Sequence, residues 1–178
     1  MSGDAITDGA GESRPLRSFK SLIRMLDRAS FGVVVLVMAA MTILIVVQVF
    51  CRYVLSTSID SADELSRLFF VWAIFLAIPH GVKYGVHVGI DLLVRALKPK
   101  LQEVIFRISC LAGAALMVVT FAVSWTATMD KWPELMPTLP VTAALFYIPV
   151  LVCAGHSFLH LLIQTWGGPN TWIGETEL

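Results

Sequence analysis

The chain has 178 residues, of which 57% are hydrophobic and 15% are charged, and its 13 basic residues balance its 13 acidic ones. This composition is far more apolar than that of a soluble domain, and it indicates an integral membrane protein in contact with the lipid bilayer, with no nucleic-acid partner. Because an α-helix needs about 20 apolar residues to cross ~30 Å of hydrocarbon, the four apolar segments that occupy most of the length exclude a soluble domain of useful size.

The fold class predicted from these segments is an all-α integral membrane protein with four transmembrane helices. The spans are expected at about 29–53, 62–82, 103–129 and 141–164. Residues 15–166 would form a single transmembrane domain. Residues 1–14 are rich in Gly, Ser, Ala and Asp and cannot bury enough apolar surface to fold, so a disordered tail is expected there, and a short polar tail at 167–178.

The segment at 15–28, PLRSFKSLIRMLDR, carries apolar residues at helical spacing with basic residues between them. This pattern predicts an N-terminal amphipathic lead-in on the inner leaflet, continuous with the first span. The apolar run from Phe31 to Cys51 is longer than that of a cleaved signal peptide, which favours a retained helix. Basic connectors alternate with acidic ones along the chain, so both termini are expected in the cytoplasm.

Charged residues are concentrated at the start of the second span. Ser61 and Glu64 have the spacing of a capping box, in which each side chain binds the other residue's backbone N–H. Asp63 and Glu64 also lie favourably at the positive end of the helix dipole. Arg67 follows Asp63 by four residues and Glu64 by three, so the three charges can meet on one face and lock this end of the helix, with Arg52 in the preceding turn within reach.

The segment after the second span is apolar on one side and charged on the other. Pro79 removes a backbone donor and predicts a kink near the end of the span. Beyond it, Lys83, His87, Asp91 and Arg95 recur every four residues and share one helical face. We therefore predict an interfacial helix between spans two and three, with its charged side toward the cytoplasm or a partner.

A few polar and small residues within the spans indicate helix contacts. Ser109 and Gly113 form a small-xxx-small pair, which lets a neighbouring helix approach closely. Gln48 is interpreted as an interhelical hydrogen-bonding group rather than as part of a substrate path, because the spans offer almost no other polar groups near mid-membrane. The three cysteines are expected to be small apolar fillers.

Three histidines, His80, His156 and His160, are expected at a similar depth near the ends of spans two and four. A bis-histidine haem between those spans is geometrically possible, and it defines an alternative function as a small membrane b-type cytochrome or electron carrier. Contacts with headgroups, water or neighbouring backbone are the favoured interpretation, because membrane haem sites usually show several deep histidines. The HSFLH sequence lacks the Glu of HExxH and no set of catalytic residues is present, so no enzyme, metal or cofactor is expected.

Several short motifs follow one another in a fixed order along the chain. An Arg-Tyr pair closes the first span, a Glu-Arg pair opens the second, an apolar run rich in Phe follows, and a His with a nearby Asp comes after it. These features are Arg52 with Tyr53, Glu64 with Arg67, LFFVWAIF at 68–75, and His87 with Asp91, and a Leu-Pro pair at 139–140 precedes the fourth span. In this order, the motifs resemble the small membrane subunit of TRAP transporters, the DctQ-like family of tripartite ATP-independent periplasmic carriers.

This resemblance implies a non-catalytic subunit that binds a much larger membrane subunit, which itself carries the substrate and sodium. A periplasmic binding protein would deliver the substrate, and small organic acids are the substrate class expected of the family. The protein would then lie in the bacterial inner membrane and brace the large subunit. The candidate residues for structural or partner contacts are Arg52, Tyr53, Asp63, Glu64, Arg67, His87 and Asp91.

Overall fold

The computed structural model describes residues 14–83 and 99–167 of the chain. These residues form four α-helices and one short 3-10 helix. In chain order they are α1 (Arg14–Val54), α2 (Asp60–Lys83), α3 (Pro99–Asp130), the 3-10 helix (Ala143–Phe146) and α4 (Ile148–Gly167). The described part of the chain contains no β-strand beyond one isolated bridge between Leu135 and Thr142.

Four helical segments are long and apolar enough to cross a membrane. They are Ile23–Val54, Asp60–Lys83, Leu101–Asp130 and Ala143–Trp166. The prediction of an all-α protein with four spans is therefore confirmed. The first span is part of a 41-residue helix that begins at Arg14, so the predicted continuity between lead-in and span is confirmed as well.

Some predictions concern parts of the chain that lie outside the described residues. The interfacial helix was expected between spans two and three, and residues 84–98 with His87 and Asp91 lie in this undescribed range. Most of the N-terminal tail and of the C-terminal tail also lies outside it. These predictions stay predictions.

The helices pack in a spatial order that differs from their order in the chain. α1 packs mainly against α2, α2 also packs against α4, and α4 packs against α3. α4 therefore lies between two neighbours, whereas α1 has one main neighbour. Large apolar side chains along α1 consequently remain exposed, including Leu36 at 69% and Val46 at 62% of their surface.

Close packing of α3 against α4 depends on small residues. Cys110, Ala114 and Leu161 form a buried cluster between these helices. A Cβ atom added at Gly113 would lie 3.3 Å from Leu161 Cδ1, so the absence of a side chain at Gly113 permits this approach. Ser109, the other half of the predicted pair, is exposed, so the contact runs through Cys110, Gly113 and Ala114 instead.

α1 ends in a tight connector that leads directly into α2. The backbone N–H groups of Leu55 and Thr57 both donate to Cys51 O at 3.1 Å. Ser56 adopts a φ of 51°, in the left-handed region that reverses the chain at helix ends. α2 then begins at Asp60 and continues past Pro79 to Lys83, which carries His80 and Lys83 back alongside α1.

Candidate functional site

A buried carboxylate, Asp27 on α1, collects basic side chains from two other helices. Lys83 Nζ donates to Asp27 Oδ2 at 3.0 Å. His156 Nε2 and His160 Nε2 lie 3.0 and 2.9 Å from Asp27 Oδ1, and His80 Nδ1 lies 3.9 Å from the same oxygen. We call these five residues the Asp27 cluster.

Helical periodicity explains how three helices supply this cluster. His156 and His160 are four residues apart on α4, and His80 and Lys83 are three apart on α2, so each pair shares one face of its helix. Asp27 is carried by the first part of α1, where the chain passes α2 and α4. The Asp27 cluster therefore lies where α1 begins and where α2 and α4 end, and this part of the bundle is called the Asp27 end.

The Asp27 cluster is largely removed from solvent. The side chains of Asp27, His156 and His160 keep 10%, 7% and 0% of their surface. An ionised carboxylate can only accept hydrogen bonds, so the ring nitrogens that face it donate their N–H. The ammonium group of Lys83 offsets the carboxylate charge, which would be very costly to bury alone.

A second polar contact closes the Asp27 end. Gln164 on α4 is buried, and its Nε2 donates to Val82 O at 2.8 Å and to Lys83 O at 3.2 Å. The last carbonyl groups of a helix have no partner within that helix. Gln164 therefore supplies partners to the end of α2 and fixes it against α4.

The structure corrects the interpretation of the three histidines. Contacts with headgroups, water or backbone were favoured, and that interpretation is wrong for His156 and His160, because both are buried against the carboxylate of Asp27. His80 is partly exposed and lies near the same carboxylate. The donor nitrogens of the three histidines leave no place between them for a porphyrin and its iron, so the arrangement does not favour the haem alternative. Asp27 itself was missed, although an acidic residue next to an apolar span is a signal of a functional or structural site.

The opposite end of the bundle, where α1 joins α2 and α3 leads into the 3-10 helix, is held by different contacts. We call it the Glu64 end. Gln48 Nε2 on α1 donates to Asp63 Oδ1 at 2.7 Å, which confirms Gln48 as an interhelical hydrogen-bonding group. Glu64 Oε2 accepts from the backbone N–H of Thr138 at 2.9 Å and from the Thr138 hydroxyl.

The predicted charge lock and capping box are not formed. Within residues 14–83 and 99–167, no ion pair joins Arg67 to Asp63 or Glu64, and Arg67 is exposed. α2 begins at Asp60, so Ser61 already lies inside the first turn. The carboxylates point to elements on either side of α2, and Gln48 and Thr138 bind them there.

The connector from α3 to α4 is fixed by further hydrogen bonds. Thr142 Oγ1 donates to Trp132 O at 2.9 Å and accepts from Ala144 N at 3.1 Å, which caps the 3-10 helix. Trp72 Nε1 on α2 donates to Leu145 O at 3.0 Å. The hydrogen bond and the charge of Glu134 raise the pKa of Lys131. Glu64 thus binds a loop that has its own internal structure.

The remaining candidates separate into two groups. Arg52 and Tyr53 are exposed at the end of α1, with 79% of Tyr53 accessible. His87 and Asp91 lie outside the described residues. The structure therefore brings Asp63 and Glu64 into contacts within the chain, and it leaves Arg52, Tyr53 and Arg67 on the surface.

The four apolar helices define a multi-pass membrane protein. One end of the bundle is closed by a buried carboxylate with its basic partners, and the other end is closed by hydrogen bonds to a structured loop. The family described as "Tripartite ATP-independent periplasmic transporters, DctQ component" matches residues 41–168. The chain belongs to this family and is a component of a transporter. Asp27 lies before the matched region, whereas His80, His156 and His160 lie within it.

Two named relatives share part of the sequence. The chain is 34% identical over 70 residues to the "C4-dicarboxylate TRAP transporter small permease protein DctQ" of Pseudomonas aeruginosa, which covers 38% of this chain and 33% of the relative. It is 29% identical over 86 residues to a "Putative TRAP transporter small permease protein" of Haemophilus influenzae, which covers 48% of this chain and 53% of the relative. The matched regions thus span between a third and about half of the relatives' lengths.

Proposed function

We propose that the chain is the small, non-catalytic subunit of a TRAP-type secondary transporter and that it braces a larger transport subunit in the bacterial inner membrane. Both termini would face the cytoplasm. A periplasmic binding protein would deliver the substrate to the complex. Family membership is the observation that carries this proposal.

The distribution of polar groups supports a bracing role. Asp27, Asp63, Glu64 and Gln164 all bind partners on other helices or loops of the same chain. These contacts hold the helices to one another at both ends of the bundle. A protein built in this way suits a fixed scaffold better than a moving carrier, which needs broken helices and polar groups that converge at mid-membrane.

The apolar surface of α1 supports a membrane partner. Phe31, Leu36 and Val46 keep 56%, 69% and 62% of their surface in the isolated chain. In a bilayer such residues contact lipid or another helix. A helix of a partner can pack closely against them without exposing any polar group. The exposed side of α1 offers a long apolar surface of this kind.

The substrate class follows from the family rather than from a pocket in this chain. The Pseudomonas aeruginosa relative is named for C4-dicarboxylates, and we extend to this chain the import of small organic acids, driven by sodium symport. The large subunit would bind both the substrate and the ion.

The proposal is tested by uptake of radiolabelled C4-dicarboxylates in cells that carry the large subunit and the binding protein, with and without this chain. We expect uptake to require the chain and sodium, and the large subunit to co-purify with the chain in mild detergent. Full uptake without the chain, or uptake by the chain alone, would contradict the bracing role. A panel of other organic acids tests the substrate class separately, and a Soret band in the purified protein would instead support the cytochrome alternative.

A further inference from the structure

Three potential metal ligands lie together in the Asp27 cluster. One carboxylate oxygen of Asp27 and one ring nitrogen each of His156 and His160 lie within 4.8 Å of one another, and all three residues are buried. Carboxylate and imidazole are the ligands that Zn²⁺ takes alongside thiolate. We propose that Asp27, His156 and His160 bind a divalent transition-metal ion of the zinc class, which joins α1 directly to α4.

The donor atoms are already close to a coordination geometry. Both Nε2 atoms face the same oxygen, Asp27 Oδ1, at 3.0 and 2.9 Å. In a tetrahedral zinc site with bonds of about 2.0–2.1 Å, neighbouring ligand atoms are roughly 3.3 Å apart. The two separations therefore need to open by only a few tenths of an ångström, and the proton of each ring moves from Nε2 to Nδ1 so that Nε2 can bind the ion.

The imidazole rings approach the carboxylate from one helix. The centroids of His156 and His160 are 4.9 Å apart with an interplanar angle of 33°, as the four-residue spacing on α4 dictates. Asp27 comes from α1, more than a hundred residues earlier in the chain. Two ligands on one helix and a third on another form a site that exists only in the folded protein.

A fourth donor is available on α2. His80 Nδ1 lies 3.9 Å from Asp27 Oδ1, and its ring centroid lies 6.3 Å from that of His156. Four-coordinate geometry is the rule for structural zinc sites. Movement of His80 toward the ion would complete the site, and the ion would then join α1, α2 and α4.

Lys83 orients the carboxylate, and the histidines select the type of ion. Lys83 Nζ contacts Asp27 Oδ2 at 3.0 Å, which leaves Oδ1 turned toward the histidines, as outer partners of metal ligands do. The two imidazole nitrogens disfavour Mg²⁺ and Ca²⁺, which depend on charged and neutral oxygen ligands, and favour ions that form strong bonds to imidazole.

The test uses the full chain, purified in detergent with a tag that contains no histidines and treated with a chelator. Co²⁺ serves as the spectroscopic probe, and Zn²⁺ and Mg²⁺ are compared by the shift in thermal unfolding. We expect a visible Co²⁺ spectrum that Zn²⁺ abolishes, binding of one ion per chain, stabilisation by Zn²⁺ and no response to Mg²⁺. Removing one ligand should weaken Zn²⁺ binding by about 100-fold or more.

The matched variants are Asp27→Asn, His156→Gln and His160→Gln, with Glu103→Gln as the control that removes an exposed potential ligand on α3. Each variant is compared with and without Zn²⁺, so that a general loss of stability does not imitate a loss of binding. The three cluster variants should lose the Zn²⁺ response and Glu103→Gln should keep it. His80→Gln should weaken binding less than the loss of His156.

Two results would overturn the proposal. One is an unchanged thermal transition and no Co²⁺ spectrum in the natural sequence. The other is equal Zn²⁺ binding by Asp27→Asn and Glu103→Gln, which would mean adventitious binding elsewhere. Because this test measures metal binding by the purified chain and not transport, it can fail while the proposed subunit role holds, and the reverse is also true.

Discussion

The two ends of the bundle use similar chemical groups in opposite environments. At the Asp27 end, a carboxylate is buried among Lys83 and three histidines. At the Glu64 end, two carboxylates bind neutral donors and remain partly accessible. A buried ion pair is costly to break because one charge is left without compensation, whereas an accessible group returns to water. The Asp27 end should therefore dominate stability, although it contains fewer carboxylates.

The largest effect is expected from Asp27→Asn. The substitution removes the negative charge that the buried ammonium group of Lys83 and the histidines face, and the expected destabilisation is about 3–5 kcal/mol. Unfolding by SDS titration in mixed micelles measures it. The matched control is Glu103→Gln, which breaks an exposed pair with Arg107 at 2.8 Å and should cost at most about 0.5 kcal/mol. Equal effects of the two variants would contradict the comparison between buried and exposed carboxylates.

A smaller effect at the same end is expected from Gln164→Leu. The substitution keeps the approximate volume but removes the donor to Val82 O and Lys83 O, and leaving these part-buried carbonyl groups unpaired costs about 1–2 kcal/mol. The same SDS titration measures this loss. Thr165→Val serves as the control on the next residue, because Thr165 Oγ1 bonds only to Leu161 O within its own helix. If both variants unfold at the same SDS content, the contact between α4 and the end of α2 contributes nothing to the free energy of unfolding.

A still smaller effect is expected at the Glu64 end from Glu64→Ala. Its contacts with Thr138 are accessible, so the loss should be about 0.5–1.5 kcal/mol. The change should appear first as faster proteolysis of the loop at 131–142, which Glu64 holds against α2. Glu134→Ala, whose partner Lys131 lies in the same loop, should leave both the cleavage rate and the unfolding midpoint unchanged. Faster cleavage of Glu134→Ala alone would show that contacts within the loop, and not the contact with Glu64, hold the loop in place.

The sequence predicts the helices of this protein much better than it predicts their contacts. Long apolar runs determine four spans because each must satisfy its own backbone in lipid. The partner of His156 could not be read in the same way, since Asp27 lies more than a hundred residues away and the packing order of the helices is not encoded in any local pattern. The spacing of Asp63, Glu64 and Arg67 permits an ion-pair lock, but Gln48 and Thr138, which come from other elements, bind the two carboxylates instead.

The smallest effect on the isolated chain is expected from Arg67→Ala, and this makes Arg67 the best residue for separating folding from assembly. Arg67 is exposed and joins neither Asp63 nor Glu64 in the described part of the chain, so its loss should change the free energy of unfolding by no more than about 0.5 kcal/mol. Co-purification with the large subunit is measured in parallel, and Arg107→Ala serves as an exposed control in α3. Reduced co-purification of Arg67→Ala with normal stability would assign the guanidinium to a partner contact, because a residue that only supports the fold would lower both together. A large loss of stability in the isolated chain would instead restore the ion-pair lock at the start of α2.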